Sequence, residues 1–147
     1  MKIGIDARFY DESGVGRYLQ NLIKSLQDLI VYNKAFEASM KIFHFSKGFP
    51  REERYSLTDQ IRRSSRSVAI NIREGFAKRK YEQIFIRHLN DALGSSEETR
   101  GWLSFASSCR YIDKEKQLEF DKKYDELGAM LYSLMNNWKK FPESPDD

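Results

Sequence analysis

The spacing of apolar residues constrains the fold of this chain more than any other feature. Between Asp113 and Trp138, large apolar side chains follow one another at alternating intervals of four and three residues. That is the a/d spacing of a helix packed along other helices, and Asp113 is of a residue type that commonly caps a helix N-terminus. The seam consists of Phe120, Tyr124, Leu127, Leu131, Leu134 and Trp138.

Three earlier segments show the same helical period, and turn-forming residues separate them. The first predicted helix runs from Asp28 to about Lys47, with the apolar residues Leu29, Tyr32, Phe36, Met40 and Phe43. The second follows the Phe49–Glu53 turn, ends near Gly75, and carries Leu57, Ile61, Val68 and Ile72. The third spans about Tyr81–Arg110, with a seam of Phe85, Leu89, Ala92, Ser96, Thr99, Leu103 and Ala106. We expect Gly94, inside this helix, to let a neighbouring helix approach closely.

These four segments predict an all-α fold, an antiparallel up-down four-helix bundle over residues 28–141. Residues 142–147 form a polar tail. A chain of 147 residues with 40% hydrophobic and 14% aromatic residues suits one folded domain with a real core.

The cysteine, histidine and hydropathy patterns argue against several classes of protein. With one cysteine, Cys109, the chain has no internal disulfide and no multi-cysteine zinc site, and we expect that thiol to be buried. His44 and His88 lack partners at ligand spacing, so we predict no metal and no cofactor. No apolar run approaches the roughly 20 residues that span a bilayer, and no signal peptide is evident. We therefore expect a soluble, cytoplasmic protein, and no catalytic set of residues is suggested.

Positive charge is concentrated in the second predicted helix and the turn after it. Residues 62–80 carry seven Lys or Arg and one Glu, a net charge of +6, whereas the whole chain has +3. The rest of the chain therefore sums to −3. Charge placed in this way suits a surface that meets phosphate groups or an acidic partner. The candidate nucleic-acid-binding residues are Arg62, Arg63, Arg66, Arg73, Lys78, Arg79 and Lys80.

Helical geometry separates these basic residues from the apolar ones. At about 100° per residue, the arginines at 62, 66 and 73 and Lys80 lie within about 40° of one line, more than 60° from the apolar stripe. We expect the guanidinium groups to point outward, where their planar fork can donate paired hydrogen bonds to phosphate. Nearby, Phe76 and Tyr81 either stack on unpaired bases or serve as core or interface residues. The alternative for the whole segment is a solvated helix face balanced by acids of neighbouring helices.

Two stretches of the second helix, YSLTDQIRR at 55–63 and SVAINIREGF at 67–76, resemble the four-helix-bundle family of 23S ribosomal RNA intervening-sequence proteins. With VYNKA at 31–35 and ALGS at 92–95, the likeness covers about residues 28–140. Relatives of that family include the accessory variability determinant proteins of diversity-generating retroelements. This resemblance implies a homopentamer with a basic surface, associated with nucleic acid and a reverse transcriptase. Arg73, Arg100 and Gly101 depart from the family pattern, which bears on the ligand rather than on the fold.

Residues 1–27 do not share the bundle pattern. Lys2–Asp6 predicts a short strand, and Ser13–Tyr18 a glycine loop that opens a helix through Leu26, although that helix could equally continue into the first bundle helix. The stretch resembles the N-terminus of glycosyltransferases with two Rossmann domains, in which a glycine loop lies near the donor phosphates; here Gly14 and Gly16 correspond. Such an enzyme needs two α/β domains, and 147 residues have room for neither beside the bundle. We interpret residues 1–27 as an appended fragment without activity.

The sequence thus predicts a non-enzymatic, oligomeric bundle that presents a basic helix surface to RNA or DNA. The alternative is an assembly scaffold that binds no nucleic acid, in which the same arginines pair with carboxylates of a neighbouring subunit. In both cases we expect apolar side chains left outside the bundle to form the subunit contacts.

Overall fold

Four long helices joined by short turns make up the part of the chain that the structure describes. The computed structural model describes residues 12–138 and, within them, all side chains except those of residues 12, 13, 20, 21 and 23–29. Helix α1 spans Glu12–Ser46, α2 Leu57–Ala77, α3 Glu82–Ser108 and α4 Lys114–Asn137. A 3-10 turn, Arg51–Glu53, lies between α1 and α2, and residues 12–138 contain no β-strand. The predicted all-α class is confirmed.

The helices pack as the up-down bundle that the periodicity predicted. At one end, Phe45 near the end of α1 meets Phe120 near the start of α4, with ring centroids 5.3 Å apart. At the other end, Phe85 at the start of α3 meets Trp138 just beyond α4, with centroids 4.1 Å apart. These contacts place α1 antiparallel to α4, and α4 antiparallel to α3.

The apolar seams predicted for α2, α3 and α4 form the core. Every residue named for these three seams is buried, from Leu57 in α2 to Trp138 after α4. The start of α4 is also as predicted, because the Asp113 carboxylate accepts a 2.7 Å hydrogen bond from the backbone N–H of Lys116. Large apolar side chains that repeat every three or four residues are therefore sufficient to identify the inward face of these helices.

Helix α1 buries a different face from the one predicted. Phe36 is 47% exposed, and Tyr32, Met40 and Phe43 are half-buried; the side chain of Leu29 lies outside those described. The prediction was wrong because small side chains bring α1 close to its neighbours, and the larger rings are left at the edge of that contact. The residues buried instead are Val31, Ala35, Ala38, Ser39 and Ile42.

Close approach of two helices occurs at Gly75 rather than at Gly94. Gly94 is exposed, and a Cβ added there would meet nothing within 4 Å, so the predicted role is wrong. A Cβ added at Gly75 in α2 would lie 3.0 Å from the Cβ of His88 in α3. Gly75, predicted to mark the end of its helix, lies two residues before that end and permits the contact between α2 and α3.

Helix α1 extends well beyond the predicted start at Asp28. It begins at Glu12 and continues without a break to Ser46, so Gly14 and Gly16 lie in its first turns. The predicted glycine loop is therefore wrong, and the alternative of one continuous helix holds. A glycine inside a helix costs only about 1 kcal/mol relative to alanine, which a long helix tolerates. The strand predicted at Lys2–Asp6 lies outside the described residues.

Hydrogen-bonding side chains alternate with apolar ones along the α2–α3 interface. Three pairs lie within hydrogen-bond distance, Ser64–Thr99 at 2.9 Å, Ser67–Ser95 at 2.9 Å and Asn71–His88 at 3.4 Å. We call this series the polar ladder. Because each buried hydroxyl needs a partner, the ladder favours the observed register of α2 against α3.

Candidate nucleic-acid interface

Three of the seven basic residues that the sequence singled out, Arg62, Arg66 and Arg73, lie on the face formed by α1 and α2. Arg62 is at the edge of the helix–helix contact, where its Nε donates a 2.7 Å hydrogen bond to Oγ of Ser46. Its guanidinium carbon lies 4.9 Å from the ring centroid of Phe43 in α1. This side chain is half-buried, so the outward orientation predicted for it is wrong. The reason is that Ala69, only about 20° away around α2, is buried.

A second arginine and a lysine share the ring of Phe43. The exposed Arg66 places its guanidinium carbon 5.5 Å from the ring centroid, and Lys47 places its Nζ 4.8 Å from it. The face of an aromatic ring attracts cations, with about 0.5–1 kcal/mol for an exposed pair. Three positive charges are thus gathered around one ring.

Farther along α2, Arg73 repeats this arrangement with a different ring. Its guanidinium carbon lies 5.7 Å from the ring centroid of Tyr32 in α1, and the side chain is exposed. Arg63 differs, because it points away from α1 and has a carboxylate neighbour, with Nη1 3.7 Å from Oδ2 of Asp59. Both of these partners are exposed, so water screens their attraction.

The remaining candidates form the turn between α2 and α3. Lys78, Arg79 and Lys80 are exposed, and Arg79 donates a 3.1 Å hydrogen bond from Nη1 to the backbone oxygen of Phe76. The two aromatic residues near this turn have different surroundings. Phe76 packs on a core ring, with its centroid 5.2 Å from that of Phe85, whereas Tyr81 is exposed.

The arginines next to α1 are held by aromatic rings rather than by acids. We call the row made of Arg62, Arg66 and Arg73 with Tyr32 and Phe43 the Arg–aromatic strip. Among the described side chains, no carboxylate lies within ion-pair distance of these three guanidinium groups. A cation resting on a ring keeps its full charge, so the strip remains strongly positive.

Arg100, on the other side of the bundle, shows what a neutralised arginine looks like in the same chain. Its guanidinium nitrogens lie 3.0 Å from Glu97, 3.2 Å from Asp121 and 2.9 Å from Asp125. These contacts join α3 to α4 and enclose the charge with three carboxylates. Arg100, which departs from the family pattern, thus has three carboxylate partners within this chain.

A carboxylate fixes the turn that leads into α2 and so the position of the strip. Glu53 accepts hydrogen bonds from the hydroxyl of Ser56, from the backbone N–H of Leu57 and from the hydroxyl of Tyr111. The bond from Ser56 contributes most to lowering the pKa of Glu53, followed by that from Leu57. Partial burial, together with the Glu53 carboxylate, raises the pKa of Tyr111 to about 12.

The described residues offer little that would support metal or nucleophilic chemistry. Over residues 12–138 there is no group of three or more His, Cys, Asp or Glu able to hold a metal ion. Cys109 is exposed at the C-terminal cap of α3, so its predicted burial is wrong; the helix ends before it and turns it out of the seam. A shallow groove of about 300 Å³ along α4 is lined mainly by apolar atoms. None of the described helices is long and apolar enough to cross a membrane.

Sequence reasoning identified the arginines of the strip but missed the residues that hold them. The apolar spacing predicts Tyr32 and Phe43 in the core seam of the first helix and Lys47 at its end. A usable signal was present, because Tyr32 and Phe43 are eleven residues apart, as are Arg62 and Arg73. In two antiparallel helices, rows of equal length can pair along their whole span.

Comparison with known proteins places the chain in a family. Residues 27–133 match the family model described as 23S rRNA-intervening sequence protein. The chain belongs to this family. The intervening-sequence family was also the one that the second-helix motifs resembled. The match begins at residue 27, so the likeness of residues 1–27 to glycosyltransferases stays a prediction. The link to accessory variability determinant proteins also stays a prediction.

A solved structure shares the fold of this intervening-sequence family member. It is a protein of unknown function from the S23 ribosomal protein family of Bacteroides thetaiotaomicron VPI-5482, 29% identical, with a TM-score of 0.68. The similarity covers 75% of this chain and 98% of that one. No curated protein matches the chain. The comparisons therefore support the four-helix bundle and the family.

Proposed function

We propose that this protein is a non-catalytic, homo-oligomeric binding protein whose α1–α2 face holds RNA or DNA by its phosphates. The observation that carries the proposal is the contact of Arg62, Arg66 and Arg73 with aromatic rings instead of carboxylates. A guanidinium without a carboxylate partner remains available to phosphate, to which it can donate two parallel hydrogen bonds. Contacts of this kind position the backbone and carry no base sequence, so binding is electrostatic and depends on salt.

The other basic residues extend the proposed surface at both ends. Arg63 lies on the outer side of α2, and Lys78, Arg79 and Lys80 continue beyond the end of that helix. From Arg62 to its last residue, α2 spans about 22 Å, long enough for several successive phosphate contacts. The arginines of the strip form the centre of this surface.

Oligomerisation is part of the same proposal. The resemblance to accessory variability determinant proteins implies a homopentamer, in which five basic faces act together and raise the avidity for a long nucleic acid. Association with a reverse transcriptase in the cytoplasm is a further expectation from that resemblance.

The test is salt-dependent binding of a labelled RNA and of a DNA of the same sequence, measured by fluorescence anisotropy. Replacing Arg66 and Arg73 by Glu is the informative change, because both side chains are exposed and the fold does not need them. For a single strand, loss of two phosphate contacts lowers the slope of log affinity against log salt by about 1.4. We expect at least about tenfold weaker binding at low salt.

A matched control makes the same change of charge elsewhere. Arg87 in α3 and Lys122 in α4 are also exposed, and the R87E/K122E variant should keep most of the affinity. Equal weakening by both double variants would mean that binding follows net charge and not this face. Failure of the unaltered protein to bind RNA or DNA at low salt would reject the proposal.

The second candidate is an assembly scaffold without a nucleic-acid ligand, and exposed aromatic side chains favour it. Tyr55 is 84% exposed and Phe105 is 60% exposed, as suits contact with another copy of the chain. In that case the arginines pair with carboxylates of a neighbouring subunit. Light scattering coupled to size exclusion separates the two candidates. If the R66E/R73E variant no longer binds nucleic acid but remains oligomeric, the result supports the nucleic-acid-binding function. If the variant dissociates to monomers, the result supports the scaffold.

A further inference from the structure

An aromatic row on α1 runs beside the arginine row on α2. Tyr32, Phe36 and Phe43 lie within about 40° of one line on α1, over a length of about 17 Å. The arginine row of α2 has the same length, and the two rows meet at both ends. Phe43 contacts Arg62 and the arginine one turn on, and Tyr32 contacts Arg73. The rows are therefore in register.

The middle of this composite surface is open and apolar. Phe36 is 47% exposed, and its ring stacks on that of Tyr32 with centroids 6.2 Å apart and an interplanar angle of 29°. The register places Phe36 level with Ala69 of α2, whose small side chain is buried and leaves the ring uncovered. Between Arg66 and Arg73, a distance of about 10 Å along α2, the surface thus offers the open ring of Phe36 instead of charge.

Cations that flank an open aromatic ring match an unpaired nucleotide better than a duplex. A duplex keeps its bases stacked inside and presents phosphates, so it would leave Phe36 without a partner. An unpaired base can lie on the ring while its neighbouring phosphates reach the guanidinium groups on either side. Such stacking tolerates any base, because every base has a π face.

We infer that the α1–α2 face selects single-stranded over double-stranded nucleic acid, with a base stacked on Phe36 and phosphates held by Arg66 and Arg73. The inference rests on the proposed function and names the class of nucleic acid that the face prefers. Base stacking on one aromatic side chain contributes about 5- to 150-fold to affinity, so the preference is measurable.

The decisive comparison uses ligands that differ only in their bases. The probes are a short oligothymidylate, an abasic oligomer with the same number of phosphates, and a duplex of equal length. The unaltered protein should bind the oligothymidylate more tightly than either of the others. Phe36→Ala should weaken oligothymidylate binding about 5- to 150-fold, leave abasic binding unchanged and leave the salt slope unchanged.

Tyr132→Ala is the matched control, because Tyr132 is an aromatic residue exposed to a similar degree on α4. It should affect none of the three probes, and Phe36→Tyr should retain the preference for bases. Thermal unfolding followed by circular dichroism checks that each variant is folded.

Two results overturn the inference while the proposed function stands. In the first, the protein binds all three probes equally and Phe36→Ala does not change that binding, since the face would then act through charge alone. The other is dissociation of the oligomer by Phe36→Ala, since the ring would then be a subunit contact. If the unaltered protein binds none of the probes at low salt, the proposed function fails and this inference with it.

Discussion

Replacing Arg100 by Met should cost the bundle a substantial part of its stability. The Arg100 side chain is 28% exposed and that of Asp121 is 25% exposed, so their 3.2 Å contact is partly shielded from water. A hydrogen bond to a charged group in such a setting contributes about 1.5–3 kcal/mol. The contacts to Glu97 and Asp125 involve exposed carboxylates, and each adds about 0.2–1 kcal/mol at most.

Taken together, these contacts predict a loss of about 3 kcal/mol in the free energy of unfolding, since three carboxylates are also left close together without a cation. For a chain of this size that corresponds to a fall of about 10 °C in Tm. Thermal and urea unfolding followed by circular dichroism measure both quantities. Arg100→Lys should lie in between, because an ammonium group keeps the charge but lacks the planar fork that serves several carboxylates.

The matched control is Lys34→Met, which removes a 2.9 Å ion pair with Glu126 between two well-exposed side chains. Water and salt screen such a pair, so its removal should change Tm little. If Arg100→Met lowers Tm no more than Lys34→Met does, partial burial adds nothing to this cluster and the reasoning is refuted.

Three further predictions concern the packing of the bundle, its buried hydrogen bonds and its stability at high pH. Gly94→Ala should raise the free energy of unfolding by about 0.8 kcal/mol, because the added Cβ meets open space, whereas Gly75→Ala should not share this gain because its Cβ crowds α3. Urea unfolding of both variants checks this, and an equal gain would contradict it. Thr99→Val should cost about 1–2 kcal/mol by removing the partner of a buried hydroxyl. A double-mutant cycle with Ser64→Ala should show coupling, and simple additivity would count against the hydrogen bond. The pKa of Tyr111, raised to about 12 in the folded protein from its ordinary value near 10, stabilises the fold below pH 10, and this contribution is lost as the pH rises toward 12. The difference in Tm between the unaltered protein and Tyr111→Phe should therefore shift against the unaltered protein over that range, and a constant difference would be contrary to it.

The sequence predicts the buried face of α2, α3 and α4 correctly and that of α1 incorrectly, for a physical reason. In α2, α3 and α4 the large apolar residues that repeat every three or four positions are buried, so their spacing reveals the inward face. In α1 the buried residues include Ala35, Ala38 and Ser39, whose small side chains give little periodic signal. Phe36 and Phe43 give a stronger signal but lie at the edge of the core.

The sequence identifies the basic residues of the candidate site but not which of them are buried or paired with carboxylates. A helical projection of α2 alone places Arg62 outside the apolar stripe, yet the approach of α1 half-buries it against Ser46. Likewise, two of the three carboxylates around Arg100, Asp121 and Asp125, stand 21 and 25 residues later, in another helix. Which arginines are neutralised depends on distances between helices, and a single sequence does not contain those distances.

The polar ladder between α2 and α3 affects how the chain avoids misfolding. Apolar seams of similar residues pack almost as well after one helix slides past another by one turn, about 5.4 Å. After such a slide, either Ser67 comes level with Ala92 or Ser64 with Leu103, depending on the direction, and that hydroxyl loses its partner on α3. A shifted bundle is thereby raised in energy relative to the native one, and kinetic traps of shifted register are depopulated. A slide of α2 would also carry the arginine row along α1, so hydroxyls that discriminate against misaligned folding intermediates help the Arg62–Ser46 hydrogen bond to keep the cations level with the rings of α1.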